Sequence, residues 1–204
     1  LRQNKQGEYT FDSQFSNFFA SIDETSTFSL QDHLILPRHY LIKRSVFGKT
    51  KTEALDFDWT SKLATFTRSK SRKDTKTHPT NPGLLDPALY QLKMQADLFN
   101  HSNEPYILSY DFLKRKKKNR YTFEILREEA FNFKQKQYKA LVLHRKESDD
   151  KKTTIWIIPA LDYQIGKIQH LEGSKSYEME LLDYQSDKKS LEAFYTQQKR
   201  QYSK

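Results

Sequence analysis

Positive charge is concentrated in one short run of this 204-residue sequence, between two stretches in which aromatic residues alternate with others. This arrangement is typical of a β-hairpin with a basic tip. A net positive charge favours anionic binding partners. Three interpretations remain open: contact with anionic lipid head groups, binding of nucleic acid, and a solvated turn that discourages edge-to-edge aggregation. The candidate anion-binding residues are Lys114, Arg115, Lys116, Lys117, Lys118 and Arg120.

A second candidate site is a face of aromatic and aliphatic side chains. In the alternating stretch 53–59, Leu55, Phe57 and Trp59 point one way and Ala54, Asp56 and Asp58 the other, because successive side chains of an extended strand take opposite faces. We expect such faces either to line a cavity for a lipid-like ligand or to form a packed core. The candidate cavity residues are Tyr40, Ile42, Leu55, Phe57, Trp59, Leu89, Tyr110, Phe112, Phe123 and Trp156.

Catalytic and metal-binding patterns are weak in this sequence. Asp56 and Asp58 share the predicted wet face of one strand, an arrangement that mimics a glycosidase acid pair but is also that of any solvated strand face. The six histidines show no metal-ligand spacing, and the chain has no Gly-x-Ser-x-Gly motif, glycine-rich phosphate loop or cysteine. We therefore expect a protein that is not an enzyme and that uses neither a metal ion nor a cofactor.

The composition predicts a single β-rich domain without a membrane span. The net charge is +9 and the mean hydropathy is -0.90. No stretch approaches the roughly 18 apolar residues that a span requires. Aromatic residues make up 14% of the chain, which compensates in part for a hydrophobic fraction of only 36%. The length fits one domain over residues 1–204, and since the chain begins with Leu1 we expect a processed or trimmed product.

Short alternating segments with turn signals between them predict roughly ten strands. We expect a mainly β fold in which a single curved antiparallel sheet forms an incomplete barrel. A covering helix is predicted over residues 86–100, because Asp86 suits the cap and Pro87 the first helical position, and a short C-terminal helix is predicted over residues 190–198. The stretch 69–83 is rich in Lys, Ser, Thr and Pro, which predicts an exposed, mobile loop.

Four motifs occur in an order that resembles a known family. They are Leu36-Pro37-Arg38-x-Tyr40, Phe57-Asp58-Trp59, Leu84-Leu85-Asp86-Pro87-Ala88-Leu89-Tyr90-Gln91-Leu92, and Thr154-x-Trp156-x-x-Pro159 followed by Gly166-Lys167-Ile168. Together they resemble the bacterial exported family catalogued as domain of unknown function 3108, over about residues 26–183. The resemblance implies a periplasmic protein of Gram-negative bacteria whose signal peptide has been removed. It also implies a half-open antiparallel barrel similar to lipoprotein carriers, with a helix across the opening.

These features lead us to expect a non-enzymatic periplasmic protein that binds a hydrophobic or amphiphilic envelope component, a lipid or lipoprotein-like ligand, or that supports envelope assembly. Burial of an acyl chain would drive binding by about 0.8 kcal/mol per CH₂ group, and the basic tip would orient an anionic head group. One alternative is a protein-interaction scaffold with a filled core, and a further alternative is a protein that binds nucleic acid through the basic hairpin.

Overall fold

The computed structural model describes residues 1–16, 20–69, 74–100, 107–148 and 150–198, which contain thirteen β-strands and two α-helices. The strands are β1 (Arg2–Gln3), β2 (Tyr9–Ser16), β3 (Ala20–Gln31), β4 (Leu34–Val46), β5 (Lys49–Asp58), β6 (Leu63–Arg68), β7 (Lys76–Pro79), β8 (Ile107–Lys114), β9 (Lys117–Phe133), β10 (Lys136–Ser148), β11 (Lys151–Ile158), β12 (Gln164–Glu172) and β13 (Lys175–Glu180). The helices are α1 (Leu89–Asn100) and α2 (Lys188–Gln198).

The strands form two sheets in which neighbours along the chain are neighbours in space. The first sheet has the order β1 to β7, and the second has the order β13 to β8. The chain divides into two compact units, the first made of residues 1–93 and 110–120 and the second of residues 94–109 and 121–204. The first sheet lies in the first unit, together with the β8–β9 turn. Strands β10 to β13 lie in the second unit.

The core of the first unit lies on one face of its sheet. Leu55 and Phe57 on β5 are buried and Asp56 and Asp58 between them are exposed, which confirms the alternation seen in the sequence. Burying a large apolar side chain completely contributes about 1.5–3 kcal/mol, so this face supplies much of the unit's stability. The cluster consists of Tyr40, Ile42, Leu55, Phe57, Ala64, Phe66, Leu84, Ala88 and Leu113, with Phe11, Ile22 and Trp59 packed at its border.

Asp86 joins the start of α1 to the first sheet. Its Oδ1 accepts hydrogen bonds from the backbone N–H groups of Ala88 and Leu89, both at 2.9 Å, as the sequence predicts for a helix cap. Its Oδ2 accepts a hydrogen bond from the Ser26 hydroxyl on β3 at 2.5 Å. Asp86 is fully buried, and this burial raises its pKa to about 7 although the hydrogen bonds from Ser26, Leu89 and Ala88 oppose the shift.

The predicted fold class is confirmed: the protein is mainly β, its sheets are antiparallel and open-edged, and it has two helices. The predicted single sheet is instead two sheets, because α1 separates β7 from β8 and interrupts the succession of hairpins. The prediction of one domain over the whole chain stays a prediction.

The predicted loop over 69–83 is partly wrong. Residues 70–73 lie outside the described residues, but Lys76–Pro79 forms strand β7, whose His78 is buried. Proline has no backbone N–H to donate, and β7 accommodates Pro79 because it is the edge strand of its sheet.

Candidate anion-binding site

The centre of the candidate site is the carboxylate of Glu53, on the same face of β5 as the buried Leu55. The Glu53 side chain is only 6% exposed. Arg44 on β4 donates from Nη1 to Glu53 Oε2 at 2.7 Å. Arg68 on β6 donates to Oε1 from Nε at 3.0 Å and from Nη2 at 2.8 Å. The three adjacent strands therefore hold one carboxylate between two guanidinium groups.

The β8–β9 turn adds two further cations to this cluster. Arg115 donates from Nε to Glu53 Oε2 at 3.3 Å. Lys116 forms an ion pair with Asp74, which also accepts a hydrogen bond from Nη1 of Arg68 at 2.7 Å. Arg68 therefore connects the two carboxylates. The predicted basic tip reaches the sheet through these ion pairs.

Both carboxylates of the cluster stay ionised at neutral pH. Burial acts to raise the pKa of Glu53, but the hydrogen bonds from Arg44 and Arg68 outweigh it and hold the pKa below its usual value. The hydrogen bond from Lys116 lowers the pKa of Asp74. The negative charges are therefore fixed features of the cluster.

The cluster has more positive than negative charge. Lys114 and Arg115 line the same small pocket next to Glu53. Five basic side chains therefore surround the two carboxylates of Glu53 and Asp74, which leaves a surplus of three positive charges. Arg115 is 54% exposed and can contact a ligand in solution. The basic cluster of this site is defined as Arg44, Arg68, Lys114, Arg115 and Lys116.

A small pocket lies between the basic cluster and the apolar core of the first unit. Its volume is about 10 Å³, which is close to the space that one water molecule occupies. Ligand pockets for drug-sized molecules measure about 300–1,000 Å³, so this pocket is far too small for an acyl chain. Its lining residues are Tyr40, Ile42, Arg44, Glu53, Ala54, Leu55, Phe66, Pro87, Lys114 and Arg115.

The remaining members of the predicted basic run differ in their contacts. Arg120 forms a two-pronged ion pair with Asp111, from Nε to Oδ1 at 2.7 Å and from Nη2 to Oδ2 at 2.6 Å. Lys114, Lys117 and Lys118 are exposed, and none of them has an ion-pair partner among the described residues. Half of the predicted run is therefore already neutralised by carboxylates of the protein itself.

Eight of the ten predicted cavity residues are buried and Trp59 and Trp156 are partly buried, and the set is divided between the two units. Leu89 and Phe112 are fully buried in the first unit, where the ring of Tyr90 lies 4.8 Å from that of Phe112 and 6.3 Å from that of Tyr110. In the second unit, Phe123 is buried. Tyr40, Ile42, Leu55 and Phe57 belong to the core cluster of the first unit and Trp59 packs against it, whereas Trp156 belongs to the second unit.

Tyr40 and Trp156 each place a polar group in a hydrogen bond. The Tyr40 hydroxyl donates to Glu24 Oε1 at 2.5 Å, and burial followed by the Glu24 charge raises the pKa of this phenol above its usual value. Trp156 donates its indole N–H to Glu129, and the Lys167 ammonium lies 5.5 Å from the indole ring centre. Ligand binding by any member of the predicted cavity set stays a prediction.

The two acids considered as a glycosidase pair serve local structure. Asp56 Oδ1 pairs with His39 Nδ1 at 2.6 Å. Asp58 accepts hydrogen bonds from the backbone N–H groups of Thr60 and Ser61 and closes the turn after β5. Among the residues that the structure describes, no group of three or more His, Asp or Glu is placed to hold a metal ion.

Sequence reasoning missed Arg44, Glu53 and Arg68. One signal was available for Glu53, because it has the same parity as Leu55 and Phe57 in the alternating stretch and therefore faces the core. An acid on a buried strand face requires a basic partner. The partners themselves depend on the pairing registers of β4, β5 and β6, which align Glu53 with Arg68.

The comparisons with known proteins identify a family and nothing more specific. A family model described as "Protein of unknown function (DUF3108)" matches residues 8–181. Neither a curated protein nor a solved structure matches the chain. Neither helix within the described residues has the length and apolar character needed to cross a membrane.

Proposed function

Because the chain belongs to the DUF3108 family, whose description assigns no activity, we propose a function from its own residues. The protein is a non-enzymatic periplasmic protein that binds the anionic head group of an amphiphilic component of the cell envelope. The periplasmic location follows from the resemblance that the four sequence motifs carry.

The observation that carries the proposal is the surplus of positive charge in the basic cluster. Guanidinium groups bind phosphate and carboxylate oxygens through paired N–H donors, and Arg44 and Arg68 are already oriented by Glu53. Arg115 and Lys114 line the pocket from its exposed side. An anion bound here would replace water at groups whose geometry is set before binding, which lowers the entropic cost of association.

The size of the pocket supports head-group binding over carriage of a whole lipid in the first unit. A volume of about 10 Å³ holds roughly one water molecule, so a phosphoryl or carboxylate oxygen fits and a hydrocarbon chain does not. Tyr40, Ile42, Leu55 and Phe66 border this space on the side of the core, so the hydrocarbon chain of a bound amphiphile stays outside the pocket.

The test is a calorimetric titration with decyl phosphate below its critical micelle concentration, compared with decyl maltoside as the uncharged amphiphile. We expect decyl phosphate to bind and decyl maltoside to bind much more weakly. Arg115→Gln should weaken decyl phosphate binding about tenfold or more, because hydrogen bonds to charged groups contribute about 1.5–3 kcal/mol. Arg115 lies on an exposed turn, so this variant should remain folded.

Lys175→Gln is the matched control, since Lys175 is an exposed lysine of β13 in the second unit and the substitution removes the same charge. It should change the affinity less than about twofold, because Lys175 is not a member of the basic cluster and an exposed charge is screened by salt. Equal binding of the two amphiphiles, or an equal loss in both variants, would refute the proposal.

A protein-interaction scaffold is the second candidate function, and strand β13 favours it. β13 is an edge strand whose six residues are all exposed, including Tyr177 and Met179. An unpaired strand edge can accept a strand from a partner protein. Replacing Glu178 by Pro should abolish capture of such a partner without changing decyl phosphate binding.

Nucleic-acid binding through the basic hairpin is the further alternative, and the ion pairs of this hairpin weigh against it. Arg115, Lys116 and Arg120 are paired with Glu53, Asp74 and Asp111, which reduces the charge that the hairpin offers to a phosphate backbone.

A further inference from the structure

The turn between β4 and β5 exposes two apolar side chains at the end of the first sheet. Phe47 is 76% exposed and Val46 is 50% exposed. Side chains of this size are usually buried, and a largely exposed aromatic ring next to a second apolar residue marks an interaction surface when its surroundings are polar.

Backbone preference does not account for phenylalanine in this turn. Val46 pairs with Lys49, so Phe47 and Gly48 form a two-residue turn, and both have positive φ, 47° and 74°. Positions of this kind favour Asn, Asp and Gly, whereas a bulky side chain is an outlier there. In the β3–β4 turn of the same sheet, the corresponding positions are occupied by Asp32 and His33. Phe47 therefore stands at a position whose backbone conformation suits a polar residue better.

Basic residues flank these apolar side chains on the same face of the sheet. Arg44 lies opposite Lys51 and Val46 opposite Lys49, and directly opposed residues of antiparallel strands share a face. Lys49 and Lys51 are exposed and have no ion-pair partner among the described residues. The turn thus presents an apolar tip with lysines directly behind it.

On the opposite face of the β4–β5 hairpin, positive and negative side chains nearly balance. Lys43 lies there, opposite Asp23 of β3 and Thr52 of β5. Glu53, the nearest acid on the basic face, is already bound by arginines. The surplus positive charge is therefore on the face that carries Val46, Lys49 and Lys51.

We propose that the β4–β5 turn docks the protein on an anionic lipid bilayer. Phe47 and Val46 enter the interfacial region, while Lys49 and Lys51 contact lipid phosphates. Aromatic residues favour this interface, and each basic residue near an anionic membrane contributes about one further factor of five in affinity. The inference goes beyond the proposed function, since it concerns a membrane surface and residues outside the basic pocket.

Charge selects the bilayer over a second copy of the chain as the occupant. In a symmetric pairing of two such turns, Lys49 and Lys51 of both copies would approach each other without an acidic partner, and like charges in direct opposition are destabilising. An anionic lipid surface supplies the complementary charge that a second copy lacks.

The test is co-sedimentation of the protein with vesicles of phosphatidylcholine that contain phosphatidylglycerol, with pure phosphatidylcholine vesicles alongside. Phe47→Asn should weaken binding to the anionic vesicles about tenfold, because it removes a large apolar side chain from the interface. The thermal midpoint of this variant is measured alongside, and we expect it to stay close to that of the unmodified protein because Asn suits a positive φ. Loss of binding would then not be a consequence of unfolding.

Leu182→Asn is the matched control, because Leu182 is 79% exposed in the second unit. It should leave vesicle binding within about twofold, as a side chain outside the interface does not affect partition. Lys49→Gln and Lys51→Gln should each weaken binding to anionic vesicles about fivefold and leave binding to pure phosphatidylcholine unchanged.

Three results would overturn the inference. They are an absence of vesicle binding by the unmodified protein, equal binding by Phe47→Asn, and an equal loss in Leu182→Asn. A concentration-dependent dimer that Phe47→Asn disrupts, without vesicle binding, would instead assign the turn to a second copy of the chain. Decyl phosphate binding by Phe47→Asn should stay normal, which separates this inference from the proposed function.

Discussion

Replacing Glu53 by Gln removes the charge at the centre of the basic cluster and keeps the shape of the side chain. The carboxylate now accepts hydrogen bonds from Arg44, Arg68 and Arg115. In the variant, the amide NH₂ group faces at least one guanidinium that also donates, so one set of contacts must break.

The size of the effect follows from the exposure of the partners. Removing one member of a buried ion pair costs about 3–5 kcal/mol. Arg44, Arg68 and Arg115 are 25%, 36% and 54% exposed, so water can hydrate them after the loss and reduce the cost. We expect a destabilisation of about 2–3 kcal/mol, which corresponds to a decrease in thermal midpoint of about 4–12 °C for a chain of this length.

Thermal and urea unfolding of both proteins measure this change. The pKa of Glu53 is lowered in the folded state, so its stabilisation is present above the unfolded value of 4.5 and is lost as the pH falls through the lowered pKa. The two proteins should therefore become equally stable in strong acid. Inorganic phosphate should stabilise Glu53→Gln more than the unmodified protein, because an anion can take the place of the carboxylate.

Asp111→Asn is the control for an exposed ion pair. Asp111 and Arg120 are 40% and 68% exposed, so the loss should stay below about 1 kcal/mol. If Glu53→Gln changed stability no more than Asp111→Asn, or if phosphate had the same effect on both variants, the reasoning about a clustered anion site would be refuted.

Two further substitutions test the fold. The pKa of Asp86 is raised from 3.8 to about 7, so the unfolded chain ionises first and stability should fall as the pH rises from about 4 to about 7, by on the order of 4 kcal/mol. Urea titrations across this range should show that Asp86→Asn removes that decrease, and parallel pH profiles of the two proteins would contradict the assignment. In the second unit, a Cβ on Gly166 would lie 2.7 Å from Ile158 Cδ1 and 3.0 Å from Phe131 Cζ. Gly166→Ala should therefore lower the urea midpoint by the equivalent of about 1–3 kcal/mol, whereas an unchanged midpoint would show that these two side chains repack freely.

The strands were the most predictable part of this protein. Period-two alternation identifies a half-buried strand without knowledge of its partners, and β5 contains the alternating residues from Leu55 to Asp58. The cap of α1 was predictable for a similar reason, since Asp86 acts on residues two and three positions away. Local chemistry fixes both features.

The candidate site was less predictable, because its members come from distant parts of the chain. Arg44, Glu53, Arg68 and Arg115 meet only after two strand registers and one turn are set. The density of positive charge in the sequence pointed to residues 114–118. The sequence does not reveal which of these residues form ion pairs with carboxylates of the protein. β7 was missed because Pro79 and its polar neighbours lack the alternation of a half-buried strand.

The hydrogen bond between Ser26 and Asp86 has a consequence for the order of folding. Every strand pair of the first sheet joins neighbours along the chain, so hairpins from β2 to β7 can form one after another while the chain is still being synthesised. The buried Ser26 hydroxyl can form its hydrogen bond only after Asp86, sixty residues later in the chain, has been synthesised. We therefore expect the first sheet to form early with an open polar site on β3, and to become resistant to proteolysis only when α1 docks.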